Sequence, residues 1–198
     1  MKTDNFNLFS SFVKKYYLNV DNQSLINYSY NIKNTDSGVI KSNANGWQSK
    51  NLENNNDINF SQLLLSIDYC CRDYFFYVGV NCEQWGPKID GIWANINSKY
   101  SYNHKHLHTG FCSGVYYVKT DGDEGDIRFC NPSAAKQMSW TGYYFREPFN
   151  ESNASEWRFA PNKGELYIFP SWLEHYVDMN TTDKDRISYS FNVKIEKK

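Results

Sequence analysis

From residue 88 onward the chain is a succession of short apolar and aromatic runs separated by turns, and this pattern strongly limits its possible folds. Val, Ile, Tyr and Phe are frequent in the runs, and these residues are favoured in β-strands. Gly and Asp mark the turns, as in the acidic stretch TDGDEGD at 120–126. We therefore expect about eight strands. The predicted strands are 88–97, the histidine-rich stretch that follows, 111–120, 125–130, 138–146, 156–160, 165–170 and 186–195.

Two helices are predicted before these strands. Asp21 can cap a short helix that runs to about Lys33. From Ile58 to about Val78, apolar residues recur at steps of three and four, which indicates a long amphipathic helix. Residues 6–19 are predicted to form an entering strand or edge element.

Helices followed by a run of strands predict a mainly β fold, a double-stranded β-helix (jelly roll, cupin-like) with the N-terminal helices on the outer face of one sheet. A chain of 198 residues is long enough for one full hydrophobic core. The sequence has no internal repeat and no separate linker, so we predict a single domain over 1–198. Its helical and loop part covers 1–85 and its jelly-roll core covers 88–196.

Composition and charge argue against several classes of protein. The formal net charge of −1 gives no strong sign of a nucleic-acid partner. No apolar run approaches the ~20 residues of a membrane helix, and the N-terminus lacks the apolar region of an export signal. The five cysteines include no C-x-x-C pair, which favours a reducing compartment over a disulfide scaffold. We therefore expect a cytoplasmic protein without a membrane partner.

Three of the four histidines lie close together, at His104, His106 and His108. Alternate residues of a strand face the same side, so these imidazoles can line one surface. An H-x-H pair of neutral imidazoles is suited to a divalent metal, which needs at least one further ligand from elsewhere in the fold. The fourth histidine, His175, follows a strand-like run and can supply that ligand.

Arg186 and Ser188 form an R-x-S pair on the next predicted strand, and Ser190 and Asn192 share their face. Arginine binds a carboxylate through two parallel hydrogen bonds and stays charged when it is buried. Histidines followed by such an arginine would suit an iron enzyme that uses a dicarboxylic 2-oxo acid. One end of that acid would bind the metal, and its distal carboxylate would lie against Arg186.

At these residues the sequence resembles the 2-oxoglutarate/Fe(II)-dependent dioxygenases, and more narrowly the 2OG-Fe(II) oxygenase family common in marine phages and bacteria. The matching motifs are spread over most of the chain from about residue 42. They are SNANGWQSKNL (42–52), W-A-N (93–95), N-x-x-H-x-H (103–108), SGVYYV (113–118), FPSWLEHYV (169–177) and RISYSFN (186–192).

The resemblance implies that His106 is the first iron ligand and His175 the distal one. His108 falls where the wider superfamily usually has the carboxylate of H-x-D. It is predicted to bind the iron as a third imidazole, with the alternative that it stands aside and leaves a coordination position open. His104 also spells H-x-H with His106, but its expected place is in solvent or behind the ligands.

The resemblance also implies a 2-oxoglutarate site made of Arg186, Ser188 and the hydroxyl of Tyr117. The alternative for Tyr117 is that it only packs in the core. Asn95 or Asn97 could orient the co-substrate or the substrate, because both lie on the strand before the histidines. No side chain is predicted to act as a catalytic acid or base.

The implied activity is that of an oxidoreductase, a hydroxylase that uses Fe(II), 2-oxoglutarate and O2 to oxidise a C–H bond of an unidentified substrate, with succinate and CO2 as co-products. A phage-encoded chain would act in the host cytoplasm. The sequence does not fix the oligomeric state, and a homodimer stays open as an alternative to a monomer.

Two other functions are kept as alternatives. The first is a cupin-type metal dioxygenase without 2-oxoglutarate, which would share the H-x-H pair and the later histidine but would not require Arg186. The glutamate expected shortly after a cupin H-x-H is missing. The second is a non-catalytic jelly-roll binding module, such as a virion component, with histidines that hold a structural metal.

Overall fold

The structure, a computed structural model, describes residues 2–4, 9–53, 57–133, 150–151 and 153–198. Helix α1 covers Asn22–Lys33 and helix α2 covers Ile58–Tyr77. The strands in chain order are β1 (Lys14–Tyr17), β2 (Asn43–Ala44), β3 (Trp47–Gln48), β4 (Trp85–Asn97), β5 (Tyr102–His106), β6 (Cys112–Lys119), β7 (Ile127–Cys130), β8 (Glu156–Phe159), β9 (Glu165–Pro170), β10 (His175–Val177) and β11 (Arg186–Lys197).

Both predicted helices are confirmed. The Asp21 carboxylate accepts a hydrogen bond from the backbone N–H of Ser24 at 3.1 Å, so it caps α1 as the sequence indicated. In α2 the residues at three- and four-residue steps are buried, among them Phe60, Leu63 and Ile67. No helix in the described part of the chain is long and apolar enough to cross a membrane.

Two antiparallel sheets form the β part of the molecule. One has six strands in the order β1-β9-β6-β11-β4-β3, and the other has five in the order β2-β5-β10-β7-β8. The longest pairing joins β11 to β4, from Arg186 opposite Asn97 to Lys197 opposite Trp85. This arrangement is the predicted double-stranded β-helix, and the mainly β fold class is confirmed.

The six-stranded sheet separates two hydrophobic clusters, and strand alternation decides which residue joins which cluster. Tyr116 faces the helices, where its hydroxyl donates to the Asn22 side chain at 2.7 Å. Tyr117, the next residue, faces the other way and packs with Phe129 of the five-stranded sheet and Phe169. The helices therefore cover the outer face of one sheet, and the second cluster lies between the two sheets.

The structure differs from the sequence prediction mainly within residues 37–57, where the Gly and Asn turn signals around Trp47 predict a loop. Two short strands form there, because β2 pairs with β5 and β3 pairs with β4. Residues 43–48, which we call the corner, thus connect the edge of the five-stranded sheet to the edge of the six-stranded sheet. Asn45 adopts a positive φ of 58° within the turn of the corner.

The boundaries of other strands also differ from those predicted from the sequence. Strand β4 begins at Trp85 instead of residue 88, because its first residues pair with the C-terminal end of β11. Of the edge element predicted over 6–19, the described part contains β1 at Lys14–Tyr17. The strand predicted at 138–146 lies outside the described residues.

Candidate metal centre

The structure brings together the three histidines that the sequence singled out as metal ligands. His106, His108 and His175 each offer a ring nitrogen, and these atoms lie within 4.8 Å of one another. His106 ends β5 and lies directly opposite His175, the first residue of β10. His108 lies beyond the end of β5, where its backbone N–H donates to the Ser171 carbonyl at 2.9 Å. Two paired strands and one anchored loop therefore build the cluster.

Backbone carbonyls fix the tautomers of two of these rings. His106 Nδ1 lies 2.6 Å from the carbonyl oxygen of His104, and His175 Nδ1 lies 2.9 Å from that of Leu173. A carbonyl oxygen can only accept, so each Nδ1 carries the hydrogen. In the neutral ring Nε2 then keeps its lone pair, which is the form that binds a metal.

Burial favours the neutral form of all three rings. Desolvation lowers the pKa of His175 to about 3 and that of His108 to about 4, and it also lowers the pKa of His106. A charge on His106 further lowers the pKa of His108 and His175, and a charge on His108 further lowers that of His175. Near pH 7 the cluster is therefore a set of uncharged nitrogen donors that need not lose a proton before they bind a cation.

His104 is outside this cluster. Its side chain is exposed, and its ring packs edge-on against Tyr102 with centroids 4.9 Å apart. His104, His106 and His108 all line one cavity, as strand alternation allows, but only His106 and His108 bring a ring nitrogen to the cluster with His175. His104 contributes its backbone carbonyl to the orientation of the His106 ring.

A cavity of roughly 920 Å³ extends from the histidines into the space between the sheets. All four residues predicted for the co-substrate site line it: Asn95, Tyr117, Arg186 and Ser188. Residues that the sequence placed near them also line it, namely Trp93, Asn97, Ser190 and Asn192. The Trp93 ring faces His108, with centroids 6.0 Å apart.

Arg186 is the most deeply buried charge in this cavity, with 2% of its surface exposed. Its Nη1 donates to the carbonyl oxygens of Glu124 at 2.7 Å and Gly125 at 3.0 Å. Within the described residues no carboxylate lies at ion-pair distance, and Nη2 and Nε have no hydrogen-bond partner. Burial lowers the pKa of the guanidinium, yet arginine remains charged in proteins. An anion in the cavity would supply the missing partner.

The contacts that hold Arg186 in place were not predictable from the sequence. Arg186 is held by backbone carbonyl oxygens of the acidic turn at 120–126. Every residue has such an oxygen, so the contact cannot be recognised from the side chains in the sequence. Gly125 is the one visible sign, because its φ of +103° is a conformation that favours glycine. Ser42 was also missed as a neighbour of the metal cluster, since its hydroxyl lies 3.4 Å from His106 Nε2 only through the pairing of β2 with β5.

Comparison with known proteins decides the family. A family model described as "Putative 2OG-Fe(II) oxygenase" matches residues 91–192, which include all the site residues named above except Ser42. The chain belongs to the 2OG-Fe(II) oxygenase family. Membership confirms the predicted oxidoreductase class and the predicted cofactors, iron and 2-oxoglutarate. It sets aside the cupin-type dioxygenase and the non-catalytic binding module.

Solved structures of this kind share the fold at low sequence identity. A prolyl-4-hydroxylase from Pseudomonas putida is 13% identical, with 91% of each chain covered and a TM-score of 0.60. HygX from Streptomyces hygroscopicus, with nickel and 2-oxoglutarate bound, is 10% identical over 93% of this chain and 83% of that one, with a TM-score of 0.60. The non-heme alpha ketoglutarate dependent epimerase SnoN, from nogalamycin biosynthesis, is 9% identical over 92% and 77%, with a TM-score of 0.65. No curated protein matches the chain in sequence.

Proposed function

We propose that this oxygenase is a hydroxylase that binds Fe(II) through His106, His108 and His175 and holds 2-oxoglutarate against Arg186. The observation that carries the proposal is the pairing of two features in one cavity. Three neutral imidazoles lie at one place in it, and at another lies a buried guanidinium that has no carboxylate partner in the described part of the chain. The first feature suits a divalent cation and the second suits the distal carboxylate of a dicarboxylic acid.

The three imidazoles fit iron by donor type and by protonation. Imidazole nitrogen is a suitable ligand for iron, and the depressed pKa values of His108 and His175 keep both rings unprotonated near pH 7. A third histidine in place of the usual carboxylate leaves the centre one unit more positive. We infer that this extra charge favours the anionic head of 2-oxoglutarate, since unlike charges attract more strongly beside partly buried groups than in bulk water.

The cavity around Arg186 fits a carboxylate. Ser188 and Tyr117 lie opposite each other on the paired strands β11 and β6, and both line the same cavity as Arg186. Tyr117 is 1% exposed, and burial raises its pKa to about 12. Its hydroxyl therefore stays protonated and can donate. Arg186, Ser188 and Tyr117 would then supply charge-assisted hydrogen bonds to one carboxylate.

Asn95 has a supporting role in the proposal. Its Nδ2 donates to the Ser190 hydroxyl at 3.1 Å, which joins neighbouring strands on the cavity wall. Its side-chain oxygen has no partner among the described residues, so it can accept a hydrogen bond from a molecule in the cavity. We therefore assign Asn95 to the orientation of the co-substrate.

Iron with 2-oxoglutarate, when bound, supplies the activation of O2 that hydroxylates a C–H bond and yields succinate and CO2. The chain's own residues then have to bind, orient and exclude water, and no side-chain base is needed. The one carboxylate that lines the described cavity, Asp90, pairs with Lys194 at 2.9 Å at an exposed position. This agrees with a reaction in which no acidic residue transfers a proton.

The direct test is anaerobic calorimetric titration of 2-oxoglutarate into the protein with and without Fe(II). We expect one 2-oxoglutarate per chain with Fe(II) and at least roughly tenfold weaker binding without metal, because the metal supplies part of the binding energy. Succinate, which retains the distal carboxylate but lacks the 2-oxo group, should bind with little dependence on metal. Wild-type protein that binds no 2-oxoglutarate when Fe(II) is present would refute the proposal.

A further inference from the structure

The outer face of α2, on the side of the molecule away from the cavity, exposes large apolar side chains in a single row. Ile58, Leu65, Tyr69 and Phe76 are 72%, 72%, 75% and 77% exposed. They follow one another at steps of seven, four and seven residues, which correspond to about two, one and two helical turns. All four therefore point in nearly the same direction, opposite to the buried face of the helix.

The spacing of apolar and polar residues along this row is the same when it is read from either end of the helix. Ile58 and Phe76 each lie nine residues from Ile67, and Leu65 and Tyr69 each lie two residues from it. The polar members of the row, Gln62 and Arg72, each lie five residues from the same point. We call these six residues the outer row: Ile58, Gln62, Leu65, Tyr69, Arg72 and Phe76.

A row that is symmetric about its centre matches an antiparallel copy of itself. A two-fold axis at the level of Ile67 would bring Leu65 of one chain to Tyr69 of the other, and Ile58 to Phe76. The apolar residues of the outer row would therefore meet apolar residues, and its two polar residues, Gln62 and Arg72, would meet each other. A partner with any other sequence would have to reproduce this spacing, whereas a second copy of the chain already has it.

Charge permits the same pairing. Under the two-fold axis Arg72 stands level with Gln62 of the other chain, and Asp68 and Asp73 stand level with Ser66 and Ser61. The nearest like charges are the two Asp68 residues, which lie about 3 Å apart along the helix axis. Arg72 is already bound to Asp68 in its own chain, with Nε 2.7 Å from Oδ2, so its charge is compensated within each copy. The net charge of −1 also opposes association very little.

We propose that two copies of the chain associate through their α2 helices, antiparallel and with the outer rows in contact. A helix of 20 residues is about 30 Å long, so the contact is smaller than that of a permanent dimer. Phe12 adds apolar surface to this contact at the C-terminal end of α2. Its ring packs edge-on against that of Tyr77, with centroids 5.3 Å apart, and both side chains are exposed. A dimer of this size is expected to have a dissociation constant in roughly the micromolar range.

Sedimentation velocity over a range of concentrations tests the association. The wild-type protein should pass from monomer to dimer as concentration rises. Leu65→Glu places a charge at the centre of the outer row and should weaken association by at least about a hundredfold. Tyr100→Asp is the matched control, because it adds the same charge at an exposed aromatic residue away from α2, and it should dimerise like the wild type. Wild-type protein that stays monomeric throughout would overturn the proposal.

Cysteine cross-linking tests the antiparallel register. Ile58→Cys and Phe76→Cys would each be made in a chain that also carries Cys82→Ser and Cys130→Ser, which removes the partly exposed thiols. One of the two proteins would carry a mass tag. A short thiol cross-linker should join the tagged to the untagged protein in the mixture. Each protein alone should give little product, because like positions would lie about 27 Å apart.

The cross-linking outcomes separate the arrangements. Product confined to the mixture supports the antiparallel dimer. Product from either protein alone at the same yield, or no product from the mixture, would refute it. Iron-dependent 2-oxoglutarate binding by Leu65→Glu serves as the check that this variant is folded, since α2 does not line the cavity.

Discussion

His175 and His106 lie opposite each other in the antiparallel register of β10 and β5, with their ring centroids 4.4 Å apart. Their separation is therefore set by the spacing of paired strands and not by flexible loops. Both Nδ1 atoms are held by backbone carbonyls, which also fixes the ring orientations. His106 and His175, two of the proposed iron ligands, are thus held in position in the absence of metal.

We expect His175→Ala to abolish Fe(II) binding, because the loss of one of three ligands removes a large share of the affinity. His104→Ala is the matched control. It removes an exposed imidazole but keeps the backbone carbonyl that orients His106, so Fe(II) affinity should stay within about twofold of wild type. Anaerobic titration with Fe(II) measures both. Stoichiometric iron in the His175→Ala protein would exclude this residue as a ligand.

His108 distinguishes a three-histidine centre from a two-histidine one. His108→Asp restores the commoner pair of histidines with a carboxylate and should keep Fe(II) binding. His108→Ala should weaken it by at least roughly tenfold, because a donor is lost without replacement. The same anaerobic titration applies. If the alanine variant binds Fe(II) as tightly as wild type, His108 does not contact the metal.

Arg186→Ala should raise the Kd for 2-oxoglutarate by roughly tenfold to a hundredfold and leave Fe(II) affinity almost unchanged. Charge-assisted hydrogen bonds contribute about 1.5–3 kcal/mol, and each ~1.4 kcal/mol is a factor of ten in Kd. Arg186→Lys should recover only part of the loss, because an ammonium group lacks the planar fork of arginine. Calorimetry on the Fe(II)-loaded variants measures the change. Unaltered 2-oxoglutarate affinity in folded Arg186→Ala protein would rule out the proposed contact.

Gly125 and Gly122 provide a matched pair within one turn, since both have a positive φ, +103° and +95°. A Cβ atom at Gly125 would collide with the carbonyl oxygen of Asp178 and would lie 2.8 Å from Arg186 Nη1. At Gly122 the nearest atom would be Asn162 Oδ1 at 3.5 Å. Both alanine variants lose about 1–2 kcal/mol of stability because of the positive φ. Any further loss of stability in Gly125→Ala therefore comes from the collision of its Cβ atom.

We therefore expect Gly125→Ala to weaken 2-oxoglutarate binding by roughly tenfold or more, because Arg186 has to move. Gly122→Ala should bind the co-substrate like wild type. Thermal unfolding and calorimetry on the two variants measure stability and affinity separately. Equal co-substrate affinity in both would show that the turn does not position the arginine.

The sequence predicted best those elements whose signal is local and repeated. Helix α2 has an apolar residue at each turn of its inner face, and α1 begins at a capping aspartate. Strands β6 and β9 were found because apolar and aromatic residues follow one another in VYYV and LYIF, and β11 was found because such residues alternate with polar ones in RISYSFNVKI. Each of these patterns can be recognised without knowledge of the rest of the fold.

Elements that exist only through distant partners were not predictable in this way. Strands β2 and β3 have two residues each, too few to show any period, and they form because β5 and β4 offer unpaired edges. The same limit applies to the site. The R-x-S spacing pointed to Arg186, whereas its two carbonyl partners come from a turn more than 60 residues earlier in the sequence.

The corner at residues 43–48 has a consequence for which molecules can reach the histidines. It pairs with both sheets, because Asn43 lies opposite Asn103 and Gln48 lies opposite Asn95. Residues on either side of the corner line the cavity. The gap between the two sheet edges is therefore as wide as this short connection allows. A longer corner would admit bulkier molecules while the same histidines and arginine stayed in place, so selectivity for size could change through insertions here without any change in the iron chemistry.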